Sequence, residues 1–540
     1  MSGTHGLSTA TVTESAPSSA PAGSRVRLPA ARILRMEIRH SAFVWCLPLL
    51  IVLFIYDPYR TAAGYPALWP LRSTVVLNKF WPDMVIFAAG FSAWAGSREG
   101  RRNLGDLLAT TARPAWARQL CSLAGTAFWV LAAFLAGVIA LYVQTARQAT
   151  WGGPPIAPVV VGVVGLVMVC AVAFTLGALF PGRFTAPIVA VGLMIITLWA
   201  FRQAVGDNGG STGAIGVLSP DGGVPGNDWG LFFPVSIGVP IVQTAFSAGV
   251  ALAAVGLLGL SPRTGGVGWR GALSAVAGGG ARLRAIAVSA VAVGAALAVT
   301  AIAAAGTANV SDPTSTLQIP ALDNTLAGSN PIPYTPVCSP AGSFPVCLHP
   351  AYNGYLSQVT SALTAVVSEL AGLPGIPVRA AEVSPAALPP AVFEGNGDGQ
   401  VTGGVYEFSM SGAIALVPDS RILRNGLQQD IVHAVIVGSV GKVVTGTRLG
   451  GGPAVGLQQD NGSTAQQAVE DGLLKALGAQ PYPVGGPQNG TAGQQFREQQ
   501  QAVKRAAAKF AALPAATRHS WLVANLKALK AGTITVAQLP

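Results

Sequence analysis

Two short stretches in the last quarter of this 540-residue chain carry side chains that could bind a metal or exchange a proton. Gln429 and Asp430 stand shortly before His433, so the three residues fit within little more than one turn of a predicted helix. Glu470 follows on a second predicted helix. An imidazole and a carboxylate from two neighbouring helices could hold a divalent cation or share a proton.

This spacing resembles a degenerate zinc-peptidase site. In that family, H-E-x-x-H places two histidine ligands one helical turn apart beside a glutamate base, and a later glutamate completes the metal's ligands. Here Gln429 and Asp430 stand in place of the first histidine and the base, while His433 and Glu470 match. The resemblance implies a vestigial site in an inactive domain, and the alternative is that His433 is an ordinary helix residue. No cofactor or bound metal is expected, and the chain is not predicted to be an enzyme.

A second cluster of charged residues lies in residues 97–120, SREGRRNLGDLLATTARPAWARQL. It combines Glu99, several arginines, Asp106 and an Arg113-Pro114 step, and its leucines recur at helical spacing. One face of such a segment can therefore lie at the membrane boundary while the charged face points to the cytosol or to a partner. The alternative is an arginine-rich loop that only fixes orientation in the membrane.

This loop resembles the coupling loop of type-2 ABC exporter permeases. In that family the loop after the second membrane span docks on a cytoplasmic ATPase, and residues 31–262 match the family's six-span layout with a cytoplasmic N-terminus. The resemblance implies an ATPase-facing role for Glu99, Arg101, Arg102, Asp106 and Arg113. It also implies a second permease copy or a paralogue as partner. No phosphate-binding loop G-x-x-x-x-G-K-[ST] occurs in the sequence, so the ATPase would be a separate chain.

Membrane helices are the elements that must position these residues. With 51% apolar and only 10% charged residues, the chain is too apolar for one water-soluble globule and too long for a bare bundle. About 20 helical residues cross a bilayer, and apolar runs of about that length occur at 39–57, 78–96, 119–143, 157–180, 186–203, 232–260 and 285–305. About seven spans are predicted. Six to eight stay open, because Pro48 interrupts the first run and 232–260 could hold a re-entrant piece.

The distribution of charge predicts the orientation. The net charge of +11 belongs to the residues before Gly306, which hold 20 Lys+Arg against 9 Asp+Glu, whereas the later residues hold 13 of each. Fifteen of those 20 basic residues fall on one side of the predicted spans, which places the N-terminus in the cytoplasm by the positive-inside rule. An odd number of spans then puts the C-terminal domain outside the cell. Because the basic residues lie in short loops between apolar runs, nucleic-acid binding is not expected.

The predicted fold is a polytopic α-helical membrane bundle followed by an extracellular α+β domain. Residues 1–35 form a disordered cytoplasmic tail, 36–262 a six-helix permease-like membrane domain, 263–305 a basic linker with a seventh span, and 306–540 the extracellular domain. After a linker to about residue 335, helices are predicted at 352–372, 424–443, 462–477, 493–512 and 516–530, and strands at 377–383 and 404–417. The seventh span and the domain exceed the usual permease pattern. Two alternative functions stay open: a membrane-tethered extracellular binding or sensing protein, and a membrane-anchored (pseudo)metallopeptidase.

Two cysteines stand close together in the predicted extracellular domain. Cys338 and Cys347 flank a Pro- and Gly-rich stretch that can bring them together, and an oxidising exterior favours a disulfide over two free thiols. His349 follows them without a neighbouring metal ligand, so it is predicted to be an ordinary core or surface histidine. The plasma membrane is the predicted location.

Overall fold

The computed structural model describes residues 30–102, 115–205, 214–220, 230–260, 281–311, 316–323, 331–340, 344–384, 387–388, 399–410, 420–437, 444–447, 453–456, 463–480 and 490–540. Residues 30–305 form a helical bundle, and residues 306–540, the C-terminal region, hold a small mixed sheet with further helices.

Eleven α-helices make up the described part of the bundle. They are α1 (Ala30–Arg39), α2 (Leu47–Phe54), α3 (Arg60–Gly64), α4 (Trp69–Val75), α5 (Trp81–Arg101), α6 (Ala115–Ala146), α7 (Ala157–Leu179), α8 (Thr185–Val205), α9 (Ala214–Leu218), α10 (Gly238–Leu260) and α11 (Ala281–Ala305). A 3-10 turn at Ala42–Cys46 precedes α2, and π turns at Ile55–Tyr59 and Val76–Phe80 precede α3 and α5.

Five helical segments in the described residues are long and apolar enough to cross a membrane. They are Leu34–Gly64, Trp116–Ala146, Ala157–Leu179, Gly238–Leu260 and Ala285–Ala305. Pro48 does not interrupt the first, because it lies in the first turn of α2, where its missing N–H breaks no helical bond. The chain is thus a membrane protein by length and composition of its helices, and the count of about seven spans stays a prediction.

The predicted runs at 78–96 and 186–203 also form helices, α5 and α8, but neither reaches the length and apolarity of those five. Helix α5 is less apolar because other helices cover it. Met84, Val85, Ala88 and Ala89 are fully buried, and Ser92 is buried on the same helix. A helix enclosed by protein does not need the continuous apolar surface that lipid contact demands.

Small residues allow close packing within the bundle. Gly96 of α5 faces the backbone of Phe174 on α7, and a Cβ at Gly96 would lie 2.2 Å from that residue's carbonyl oxygen. Gly249 of α10 and Gly294 of α11 face each other in the same way, since a Cβ on either would approach the other's carbonyl oxygen to 2.7 Å or less. Helix α11 is therefore a packed member of the bundle, as small-residue contacts between membrane helices predict.

The C-terminal region combines nine short strands with five helices among its described residues. The strands are β1 (Asn309–Ser311), β2 (Thr316–Gln318), β3 (Val337–Cys338), β4 (Val346–Leu348), β5 (Arg379–Glu382), β6 (Gly399–Thr402), β7 (Val405–Phe408), β8 (Val444–Thr447) and β9 (Pro453–Gly456). The helices are α12 (Leu356–Glu369), α13 (Ser420–Ile436), α14 (Thr464–Ala476), α15 (Gly490–Ala512) and α16 (Ala515–Lys530). Each helix overlaps a stretch predicted from the sequence.

Five strands form one sheet in the order β3-β4-β5-β7-β6. The central pairs β4–β5 and β5–β7 are parallel, while the edge pairs β3–β4 and β6–β7 are antiparallel. Tyr406 and Phe408 of β7 alternate with partly buried neighbours and lie fully buried against helix residues such as Leu427 and Ile431. One apolar core therefore joins the sheet to α12, α13 and α14.

The predicted disulfide between Cys338 and Cys347 is confirmed. The two residues are directly opposite each other in the β3–β4 hairpin, with their Cα atoms 4.0 Å apart. Cys46, Cys121 and Cys170 are free thiols within the bundle helices or their turns. The bond thus closes one edge of the sheet.

The predicted linker after residue 306 is partly structured, so that expectation was wrong for its first half. Strands β1 and β2 pair antiparallel, with Asn309 opposite Gln318 and Ser311 opposite Thr316, and Asp323 follows them. The carboxylate of Asp323 accepts hydrogen bonds from the N–H groups of Ile237 and Gly238 and from the Ser236 hydroxyl. The segment that leaves α11 is therefore fixed to the start of α10.

Part of the apolar run at 232–260 also differs from the prediction. Helix α10 begins only at Gly238, and Leu231 and Phe232 belong to the core of the C-terminal region. Leu68 and Leu71, from the α4 segment, join the same core. We call the end of the bundle that carries these residues the near end, and the opposite end the far end. The near end and the C-terminal region thus share one hydrophobic core.

Candidate functional sites

The base of the 97–120 loop lies at the far end of the bundle. Glu99 in the last turn of α5 pairs with Arg118 in the first turns of α6, with 3.8 Å between the charged atoms. The neighbouring Arg98 pairs with Glu37 of α1 at 3.0 Å. Both ion pairs are partly shielded from solvent. Together they join the ends of α1, α5 and α6 where the loop leaves the bundle.

The remaining residues of the predicted coupling site have different surroundings. The Arg101 guanidinium lies over the Trp94 ring, 5.5 Å from its centroid, and donates a hydrogen bond to the Trp94 carbonyl oxygen. Arg102 directly follows α5 and is exposed. Asp106 and Arg113 lie outside the described residues. The structure therefore places Glu99, Arg101 and Arg102 together at the end of one helix, but only Glu99 forms an ion pair in the part described.

The second site predicted from the sequence brings two of its four residues into contact. Helices α13 and α14 place Nδ1 of His433 3.0 Å from a carboxylate oxygen of Glu470, and both side chains are largely buried. Asp430 is turned elsewhere, because its carboxylate accepts a hydrogen bond from the Tyr406 hydroxyl at 3.0 Å. Gln429 is partly buried on the same helix.

The His433–Glu470 contact shifts the titration of its surroundings. Burial lowers the pKa of His433, but the hydrogen bond and charge of Glu470 outweigh it, so the pKa is raised overall. Burial and the neighbouring charge of Glu470 raise the pKa of Asp471 to about 7, although Lys504 opposes the shift. The arrangement can therefore hold a proton near neutral pH.

A zinc site does not fit these side chains. Structural and catalytic zinc sites use at least three protein ligands. Among the described residues no group of three or more His, Cys, Asp or Glu side chains is placed to hold a metal ion. His433 and Glu470 supply two donors that bind each other, and Asp430 binds a tyrosine. The described arrangement is a buried acid–base pair between two helices.

A third cluster, which sequence reasoning missed, surrounds His349. Its ring is fully buried and packs against the rings of Trp151, Phe232 and Tyr334, with centroid distances of 4.6, 5.2 and 4.3 Å. Trp151 and Phe232 come from the near end of the bundle, whereas Tyr334 belongs to the C-terminal region. The structure places His349 in the core, one of the two surroundings expected for it, at the junction between the two parts of the chain.

Hydrogen bonds reinforce this junction. The Thr150 hydroxyl donates to the carbonyl oxygen of Pro350 at 2.8 Å, and the N–H of Ile332 donates to the carbonyl oxygen of Phe232 at 2.6 Å.

Burial lowers the pKa of His349 to about 4, so the ring is neutral at pH 7. The backbone N–H of His349 donates to the buried carboxyl of Glu382, whose pKa burial raises well above its usual range. The sequence offered one clue, the aromatic residues Trp151 and Tyr334 in a predicted loop and linker.

Comparison with known proteins found no matching protein family, no matching curated protein and no matching solved structure.

Proposed function

We propose that this chain is the permease subunit of an ABC exporter, driven by an ATPase on a separate chain. The observation that supports this function best is the ion-paired base of the 97–120 loop at the far end of the bundle. A loop that docks on an ATPase can move the membrane helices only if it is firmly attached to them. The resemblance of the loop to the coupling loops of type-2 exporter permeases is the reason for proposing an ABC ATPase as its partner.

The two ion pairs would deliver a displacement of the loop to three helices at once. Glu99 and Arg118 join α5 to α6, and Arg98 and Glu37 join α5 to α1. Helix α5 is the buried centre of the bundle, and it packs closely on α7 through Gly96. A push on the loop would therefore reach most of the described bundle.

The same helices lead to the C-terminal region. Beyond the start of α5, Leu68 and Leu71 enter its core, and beyond the end of α6, Trp151 packs on His349. Because these contacts are apolar and buried, the C-terminal region would move with the near end of the bundle. In the proposed exporter it is a built-in part of the transport unit, on the side of the membrane opposite to the ATPase.

Copurification with the ABC ATPase encoded nearest to this gene tests the proposal. We expect Glu99→Arg and Arg102→Glu to reduce the amount of bound ATPase, because both reverse a charge at the base of the loop. Lys79→Glu is the matched control, since it breaks the Lys79–Asp57 ion pair away from that loop and should leave binding unchanged. The double variant Glu99→Arg with Arg118→Glu restores an ion pair with the charges exchanged. Recovered ATPase binding would show that the Glu99–Arg118 ion pair is needed, whereas continued loss would show that Glu99 itself contacts the ATPase.

Unchanged binding of the ATPase by both loop variants would contradict the coupling role. Failure of the parent chain to bind any ABC ATPase would favour the membrane-tethered binding protein instead. Fusion of alkaline phosphatase to the C-terminus tests the orientation, because this enzyme is active only outside the cytoplasm. An inactive fusion of a well-expressed chain would contradict the proposed sidedness.

A further inference from the structure

A groove opens on the side of the bundle between three helical segments. Its volume is about 490 Å³, within the range of small-molecule sites, and its lining is almost entirely apolar. The lining residues are Ala42, Trp45, Gly90, Phe91, Trp94, Ala186, Pro187 and Ala190. Trp45 is 88% exposed at its rim, and Ala190 is buried at its floor.

The three segments that line the groove converge at the far end of the bundle. The Glu37–Arg98 ion pair joins α1 to α5, and Gly100 of α5 lies so close to Pro181 that a Cβ there would be 2.5 Å from the proline ring. Each segment carries an exposed arginine near this point: Arg39 at the end of α1, Arg101 at the end of α5 and Arg183 just before α8. We call these three residues the arginine collar.

The arginine collar has an uncompensated positive charge in the described part of the chain. Glu37 and Glu99 are the acidic residues nearest to it in sequence, and they pair with Arg98 and Arg118 instead. No described carboxylate forms an ion pair with a collar arginine. Arg101 is turned back over Trp94, a lining residue, so its charge lies at the mouth of the groove.

We propose that this groove binds one acyl chain of an anionic phospholipid, with the lipid phosphate held at the arginine collar. An apolar groove beside the arginine collar matches a molecule that joins a hydrocarbon tail to a negative headgroup. Tryptophans at the groove suit the boundary between the acyl and headgroup layers. Arg101 is thereby assigned to the lipid, and the coupling loop keeps Glu99 and Arg102. The inference does not depend on the exporter function.

A second copy of this chain is a poorer occupant. Two copies in one membrane have the same orientation, so a symmetric pair joined across this groove would bring both arginine collars to the same depth. Like charges would then face each other at the far end. An anionic lipid neutralises that charge instead.

Native mass spectrometry of the full chain tests the proposal. The protein is released from bilayers of phosphatidylethanolamine and phosphatidylglycerol in equal amounts, and the lipids that remain bound are counted. We expect the parent to keep at least one phosphatidylglycerol per chain. Gly90→Leu should fill the groove and lower retention several-fold. Its control is Gly192→Leu on α8, where an added Cβ meets nothing within 4 Å.

The headgroup contact has its own matched pair of variants. Arg101→Gln should lower the preference for phosphatidylglycerol several-fold while phosphatidylethanolamine retention persists. Arg60→Gln is the control, because Arg60 also lies over an aromatic ring, that of Tyr56, away from the collar. Equal retention by Gly90→Leu and Gly192→Leu would overturn the proposal. So would a lipid-free dimer of the parent that Gly90→Leu converts to monomers, since a second copy would then cover the groove.

Discussion

Asp323 accepts a hydrogen bond from the backbone N–H of Gly238 at 2.8 Å. It therefore caps the N-terminus of helix α10, although it follows helix α11 in the sequence. The same carboxylate oxygen accepts from Ile237, and the other accepts from Ser236 and Ile319. One side chain therefore satisfies donors at the helix start and directly after β2. A negative charge at a helix N-terminus is also favourable to the helix dipole.

The cap is tested by two substitutions at the same position. Asp323→Ala should destabilise the protein by about 1 kcal/mol or more, because helix-start donors lose their acceptor. Asp323→Asn keeps one acceptor oxygen and loses the charge, so it should cost a smaller amount. Thermal unfolding of the purified chain in detergent measures both. Equal melting temperatures for the parent and Asp323→Ala would contradict the capping role.

The His433–Glu470 pair predicts a dependence of stability on pH. Since the folded-state pKa of His433 and that of Asp471 are both raised, the folded state binds more protons than the unfolded state. The contribution of His433 is present below its unfolded pKa of about 6.5 and is lost as pH rises through the raised folded value. The contribution of Asp471 is lost as pH rises from about 4 to about 7.

Glu470→Gln is the variant that measures this dependence. It removes the charge that raises the pKa of His433 and that, beside burial, also raises the pKa of Asp471. The difference in melting temperature between parent and variant should therefore be larger at pH 6 than at pH 8.5. Glu498→Gln, which removes an exposed carboxylate on α15, serves as a control for loss of charge alone. A constant difference across this range would show that the pair has no proton linkage.

The buried ring of His349 predicts the opposite response to pH. Its folded pKa of about 4 is below the unfolded value, so its contribution to stability is present above about pH 6.5 and is lost as pH falls toward 4. Hydrogen exchange in residues 147–156 and 230–237 should therefore rise on acidification from pH 7 to pH 5, after correction for the intrinsic rate. His349→Phe keeps an aromatic ring without a titrating group. Persistence of the acid response in that variant would assign it to groups other than His349.

The close approach of Gly249 and Gly294 predicts intolerance of side chains between α10 and α11. Gly294→Ala would bring its Cβ within 2.5 Å of the Gly249 carbonyl oxygen, so the helices must separate. Overpacking of this kind costs about 1–3 kcal/mol. Gly192→Ala on α8 adds the same methyl group in open space and should be neutral. Melting temperatures of the two variants in detergent check the difference.

Much of the architecture was predictable, because its causes are local. Long apolar runs report membrane helices directly, and the C-terminal helices follow from their periodicity. The Cys338–Cys347 bond follows from spacing. Helix α5 carries Asp83 and Ser92, because a helix covered by its neighbours can hold polar residues that a lipid-facing helix could not.

The contacts between the two parts of the chain could not be predicted. Phe232 belongs to an apolar run that is typical of a span, yet it packs on Tyr334 and His349, which follow it by about a hundred residues. The sequence around Phe232 does not indicate whether its side chain contacts lipid or protein. The His433–Glu470 contact was expected only through a family pattern, and the metal suggested by that pattern does not fit. Asp106 and Arg113 of the predicted coupling site are outside the described residues.

The shared core also dictates an order of assembly during synthesis. Leu68, Leu71, Leu231 and Phe232 are translated before residue 306, and they complete a core whose other members come later. The ribosome therefore delivers the C-terminal region after the bundle residues that complete its core. A fragment made from residues 306–540 alone would lack those four side chains and would expose the apolar surface they cover. Insertion of the bundle is thus a folding step for the region that follows it.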